Sequence, residues 1–248
     1  MTIERDEDLH GLLEAGRVVR RCLDEMAHQA RPGITTADLN EVGASVLRRH
    51  RARSAPMFVY GFPAEVCISV NEEIVHGIPS GRVLLEGDLV KLDVTAEKNG
   101  YVADAAITVG VGSLSPAKRA LIECSERAFG SAMSVARAGR RISEIGRAIE
   151  EEVRRGGFTV VRELAGHGVG RTIHEEPIVP NYDEPRARGR LREGLVLAIE
   201  PILAMGGGRP EGAGDGWTIR TADGSPAAHY EQTIVVTRDA PLLLTAAA

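Results

Sequence analysis

Apolar residues recur at helical spacing near the start of the chain. Leu9, Leu12, Leu13, Gly16, Val19, Leu23 and Met26 fall on one stripe, the period of an amphipathic helix. This helix is expected to end near Arg31-Pro32-Gly33. A second is expected to begin at Thr35 or Thr36, either of which can act as N-cap, and to run through Leu39, Val42 and Val46 to about Arg49. Strand-like text then dominates from Met57 to Gly112. Helical spacing returns from Pro116 to Ala136 and from about Ile142 to Arg155. After Phe158 short strands alternate with glycine and proline turns.

The order helix, helix, strands therefore occurs twice, over about 1–112 and 113–248. Ala30-Arg-Pro-Gly33 and Ala136-Arg-Ala-Gly139 each precede the second helix of their half, although chance accounts for so short a match equally well. No low-complexity linker separates the halves. The expectation is a single α+β domain over 1–248, built of two pseudo-symmetric halves that share one sheet.

Composition narrows the function classes. Of 248 residues 43% are hydrophobic and 26% charged, and the formal net charge is −5. This is the balance of a water-exposed globular chain without the basic footprint of a nucleic-acid binder. The arginine runs near Arg48–Arg53 and Arg186–Arg192 are short and read as solvated surface, with a weak RNA contact as the alternative. Cys22, Cys67 and Cys124 are far apart and form no CxxC, which points to a reducing compartment. The acidic start MTIERDEDLHG does not read as a signal peptide, and no apolar run approaches a membrane span. A cytoplasmic protein is expected.

The stretch DLVKLDVTAEKNGYVADAAITVG, residues 88–110, carries the first candidate chemistry. Asn99-Gly100 between two β-rich runs is a strong hairpin signal. It pairs Lys98 with Tyr101, Asp93 with Ala106 and Thr95 with Asp104. Asp93 and Asp104 then lie diagonally on one face, their backbones ~7–8 Å apart, while Leu92, Val94, Ala103, Ala105, Ile107 and Val109 form the core face. Two carboxylates aimed at one point repel unless a proton or cation sits between them; taken alone, the pair also reads as two acids on a wet sheet face. Glu200 and Glu231 sit in apolar strand text, where a carboxylate needs an ion-pair partner or a metal. In AGHGVGRTIHEEP, residues 165–177, His167 is crowded by glycines and His174 follows shortly after. Four acids and one histidine would suit two hard or borderline divalent ions.

These segments resemble type I methionine aminopeptidases, of the pita-bread metallopeptidase superfamily. The resemblance rests on VCISVNEEIVHGIP (66–79), VKLDVTAEKNGYVADAAITVG (90–110), GHGVGRTIHEEP (166–177), AIEPI (198–202) and YEQTIVVT (230–237), in that order along nearly the whole chain. It implies a pseudo-twofold α+β fold with a central antiparallel sheet and two helix pairs. It implies that Asp93, Asp104, His167, Glu200 and Glu231 bind two divalent ions, whether Co, Mn, Fe or Zn. His76 and His174 would flank the substrate. Glu200 would act as general base toward a metal-bridging water, and Phe62, Cys67, Ile173 and Trp217 would wall the methionine pocket. The implied substrates are the N-termini of nascent polypeptides with a small second residue. A monomer is implied, with transient ribosome contact and neither membrane nor specific nucleic-acid binding. His10, His28, His50 and His229 are expected to be surface or packing residues, and Trp217 alone also reads as an ordinary aromatic.

Several positions depart from the commonest pattern. Val59 and Tyr60 stand where Tyr-His is frequent, Phe62 replaces a tyrosine, and Ile173 replaces a phenylalanine. Ala105 and Ala106 stand where Thr-Ser is usual, and Lys91 shares a face with Asp93. X-Pro aminopeptidases and prolidases are the nearest rivals, but they usually carry a further N-terminal domain. Type II enzymes carry an insertion before the last acid, whereas only 31 positions (231 − 200) separate Glu200 from Glu231 here.

Overall fold

In the computed structural model, described for residues 1–246, the first helical stripes become α1 (Asp6–Gln29) and α2 (Thr36–Arg49). Thr35 caps α2, its hydroxyl accepting from the Asp38 N–H while the Asp38 carboxylate accepts from the Thr35 N–H. Then follow β1 (Arg53–Ser54), α3 (Ala55–Tyr60), β2 (Cys67–Val70), β3 (Glu73–Val75), β4 (Leu89–Lys98) and β5 (Tyr101–Gly110). The second half holds α4 (Pro116–Val135), α5 (Ile142–Arg155), β6 (Thr159–Val160), β7 (Ala165–Gly168) and β8 (Glu175–Pro180). It continues with β9 (Val196–Ile199), β10 (Ile202–Ala204), β11 (Pro210–Gly212), β12 (Ile219–Thr221), β13 (Ala227–His229), β14 (Glu231–Val235) and β15 (Leu242–Leu243).

One nine-stranded sheet organises the molecule, in the order β1-β4-β5-β14-β9-β7-β8, with β2 also on β4 and β15 on β14. Its named pairings are antiparallel. The hairpin register is the expected one: Lys98 opposes Tyr101, Asp93 opposes Ala106, and Thr95 opposes Asp104. Asn99 and Gly100 both have positive φ, 53° and 82°, as a two-residue turn of matching twist requires. Leu92, Val94, Ala103, Ala105 and Ile107 pack with α1 and α2 in one core cluster. Leu197, Ile199, Ile234 and Val236 pack with α4 and α5 in another. Each helix pair thus covers the same side of its half of the sheet, and alternation turns Asp93, Asp104, His167 and Glu231 to the opposite side.

Two expectations need correction. Met57–Tyr60 is not strand: it belongs to α3, because the Ser54 hydroxyl accepts from the Met57 N–H, Pro56 occupies the first turn, and Gly61 ends the helix at φ 74°. Glu200 is not within a strand either. It sits in the break between β9 and β10, where Pro201 has no N–H to continue the ladder. Cys22, Cys67 and Cys124 are free and buried. Among the described residues no helix is long and apolar enough to cross a membrane.

Candidate active site

Strand alternation and register deliver the acids in two neighbouring rows. Cys67, Asp93, Ala106 and Glu231 are successive partners across β2, β4, β5 and β14. Thr233, Ala198 and His167 form the next row across β14, β9 and β7. The Thr233 hydroxyl accepts from the Asp104 N–H at 2.9 Å and donates to the Asp104 carbonyl at 2.7 Å, closing that row onto β5. The glycines beside His167 are there for backbone approach: a Cβ on Gly166 would lie 2.5 Å from the Ala198 carbonyl oxygen, and one on Gly168 would lie 2.3 Å from that of Glu176. Only unsubstituted backbone lets β7 pass so close to its neighbours.

A cavity of about 190 Å³ opens on this face. Every candidate metal, catalytic and pocket residue from the sequence lines it: Phe62, Cys67, His76, Asp93, Asp104, His167, Ile173, His174, Glu200, Trp217 and Glu231. His10, His28 and His50 are exposed, as expected. His229 is not a bland packing residue. It is 2% exposed and lines the cavity, with Nε2 3.6 Å from Glu200 Oε2 and 3.5 Å from Glu231 Oε2. The sequence offers only a weak signal for it, a position two residues before Glu231; it ends β13 of a separate three-stranded sheet, just before β14 begins. Lys91 does share the side of Asp93, but its ammonium is buried elsewhere and donates to the carbonyls of Asn71 (2.7 Å) and Ala227 (3.3 Å).

The electrostatics are lopsided. The lining holds four carboxylates and four histidines and no Lys or Arg. Burial lifts Asp93 above the ordinary carboxylate range. Burial and the charge of Asp93 lift Asp104, partly opposed by the Thr95 hydroxyl and the Ala105 N–H. Burial, then Asp104 and Asp93, lift Glu200; burial, then Asp104, Glu200 and Asp93, lift Glu231. Burial pushes His167 down to about 4 and His229 down to about 3, and also lowers His76 and His174. Burial thus works against charge on the imidazoles as well as on the carboxylates they approach. Among the described residues, Asp104 Oδ1, Glu231 Oε1 and both His229 ring nitrogens are buried without a hydrogen-bond partner. Unpaired carboxylate oxygens beside unpaired imidazole nitrogens are the donor types of a divalent cation site. Asp104, His167 and Glu231 bring ligand atoms within 4.8 Å of one another, as do Glu200, His229 and Glu231.

The apolar end is walled by Phe62, Cys67, Ile173 and Trp217, with Phe62 and Trp217 edge to face at 5.2 Å between centroids. Burial first, then the nearby acids, pushes the Cys67 thiol well up, so it acts as a small apolar surface. His76 has φ 58°, a left-handed conformation that costs free energy in a non-glycine residue and is concentrated at functional sites. His174 lies beside His167, ring centroids 4.3 Å apart, and its Nδ1 is 2.7 Å from the Tyr60 hydroxyl. Tyr60, a departure in the sequence, is thus tied directly to His174, one of the two histidines expected from the resemblance to flank the substrate.

The family model for metallopeptidase family M24 matches residues 10–238. The chain is 42% identical over 247 residues to methionine aminopeptidase 2 of Bacillus subtilis, covering 99% of both. Its structure superposes on the crystal structure of methionine aminopeptidase from Thermotoga maritima with TM-score 0.96 and 36% identity, covering all of each chain. Prolidase from Pyrococcus furiosus shares the fold at TM-score 0.79 and 21% identity, but this chain spans only 66% of it. The likeness to the aminopeptidases runs end to end and that to the prolidase stops at the shared fold, so the chain belongs to metallopeptidase family M24 and, within it, to the methionine aminopeptidases.

Proposed function

We propose that this protein removes the initiator methionine from nascent polypeptides in the cytoplasm, acting as one catalytic unit over its whole length and as a monomer. The observation that carries the reading is the convergence of an O/N donor set and an apolar pocket in one small cavity. Asp93, Asp104, His167, Glu200 and Glu231 would hold the cations, whether Co, Mn, Fe or Zn. Charge balance supports two: four carboxylates with no Lys or Arg in the lining call for two divalent ions. When bound, such ions acidify water and polarise a carbonyl.

The chain's own groups do the rest. Glu200, set in the break of the sheet and not locked in a ladder, takes the proton from the attacking water and delivers it to the leaving amine. His174, with Nδ1 accepting from Tyr60, carries its proton on Nε2 and donates it in a hydrogen bond to the developing oxyanion. His76 contacts the scissile amide. The methionine side chain enters between Phe62, Cys67, Ile173 and Trp217. The cavity is smaller than the ~300–1,000 Å³ typical of pockets for drug-sized ligands, which fits one terminal residue and favours a small second residue.

The test is to strip the protein of metal and restore Co, Mn, Fe or Zn singly. Release of methionine from Met-Ala-Ser is compared with Met-Leu-Ser, and Ala-Pro-Ala serves as the rival substrate. Metal-dependent cleavage of Met-Ala-Ser is expected, with Glu200→Ala lowering kcat by about 10²–10⁴. Cleavage confined to the proline peptide would move the protein to the X-Pro branch, and no cleavage with metal retained would defeat the hydrolytic reading.

A further inference from the structure

We propose that His229 is itself a ligand of the metal centre, giving it a second imidazole donor and a sixth protein ligand for a borderline divalent cation such as Co, Zn or Fe. This rests on reading the cavity as a two-cation site. The ring sits where a ligand would sit. Its Nε2 faces Glu200 Oε2 at 3.6 Å and Glu231 Oε2 at 3.5 Å, while the other Glu200 oxygen faces His167 Nε2 at 3.6 Å. Glu200 therefore lies between two imidazoles, one on each oxygen.

These separations exceed the 2.7–3.2 Å of an N–H···O hydrogen bond. They match a shared ion instead: bonds of ~2.0–2.1 Å in a tetrahedral arrangement place neighbouring donor atoms ~3.4 Å apart. An imidazole wedged between two carboxylate oxygens, with neither ring nitrogen hydrogen-bonded among the described residues, is costly packing and ordinary coordination. The two triads, Asp104–His167–Glu231 and Glu200–His229–Glu231, share Glu231 and give each ion one imidazole.

The backbone under His229 is fixed. Its N–H donates to the Thr108 hydroxyl at 2.9 Å, that hydroxyl donates to the His229 carbonyl at 2.8 Å, and Lys91 anchors the same strand through the Ala227 carbonyl at 3.3 Å. The backbone that carries the ring is thus held before any ion arrives.

Proton NMR of the Co(II)-loaded full chain in water tests the assignment without reference to activity. An imidazole bound to Co(II) through one nitrogen leaves the other N–H as an exchangeable, hyperfine-shifted resonance. Two such resonances are expected at two equivalents of Co(II), and His229→Gln should remove one. One resonance in the unaltered protein would overturn the proposal, as would two that survive the substitution. If the glutamine variant does not fold, His229→Asn replaces it, and the count in the unaltered protein stands on its own. No shifted resonance and no Co(II) retained through dialysis would sink the reading of the cavity as a metal centre, and this proposal with it.

Discussion

Tyr60 shows how much one hydroxyl can decide. Burial raises its phenol and lowers His174, which favours the phenol as donor and His174 Nδ1 as acceptor across the 2.7 Å contact, with the hydrogen of His174 then on Nε2. Tyr60→Phe removes that bias without emptying the site. We expect kcat to fall about five- to tenfold with KM little changed, the size of one net hydrogen bond. Steady-state kinetics on Met-Ala-Ser checks this, and an unchanged kcat would mean that the tautomer is set elsewhere. At this scale the four acids that line the cavity were legible as candidates because a carboxylate in apolar sequence must be met there by a cation or a proton. His229 was not, because a histidine two residues from an acid is unremarkable until the third dimension puts Glu200 on its far side.

Among the elements, β7 is the least forgiving. Gly168→Ala would drive a methyl into the Glu176 carbonyl, so β7 and β8 must part and His167 moves with them. A lower Tm and weaker Co(II) binding by titration calorimetry are expected together. A variant that binds Co(II) normally would show that the strand has slack. Lys91 ties β4 to the turn at Asn71 and to β13. Lys91→Leu leaves two carbonyls without that donor and should cost about 1–3 kcal/mol of stability, measurable by urea unfolding. The hairpin was readable to the residue because the Asn99-Gly100 turn fixes its register locally. The α3 segment was misread because Met57–Tyr60 has strand-like side chains, and only the flanking Ser54, Pro56 and Gly61 tip it to helix.

The whole molecule joins the two halves through contacts far apart in sequence. The repeated helix-helix-strand order was visible in the text, and so were both helix pairs. The insertion of β14 between β5 and β9 was not, because nothing local to Glu231 names Ala106 as its neighbour. That pairing is what pools the charges, and it sets the pH behaviour. The four carboxylates are raised in the fold, so it holds protons that the unfolded chain has released; their contribution is lost as pH rises through the raised values. His167 and His229 are depressed, to about 4 and about 3, so their cost grows as pH falls below the ordinary ~6.5. In the metal-free protein these trends oppose one another. Cation binding needs the carboxylates deprotonated, and His167 and His229 are already neutral above about pH 5, so between pH 5.5 and 7.5 the raised carboxylates set its pH dependence. The rise in Tm on adding Mn(II) or Co(II) should be larger at about pH 7.5 than at about pH 5.5, roughly tenfold in affinity per pH unit for each proton displaced. A response independent of pH would mean that the ions bind outside this cluster.

The row that runs from Asp93 through Ala106 to Glu231 has a consequence for reading sequence variation. Ala106 donates nothing and is fully buried, yet it holds the floor between two carboxylates. Ala106→Leu would fill the space into which those carboxylates converge while leaving every donor intact. Such a variant would behave in every assay as though a ligand had been deleted, and an inventory of ligands would pronounce it sound. The vulnerability of this centre extends to the room between its donors, and one methyl group keeps that room open.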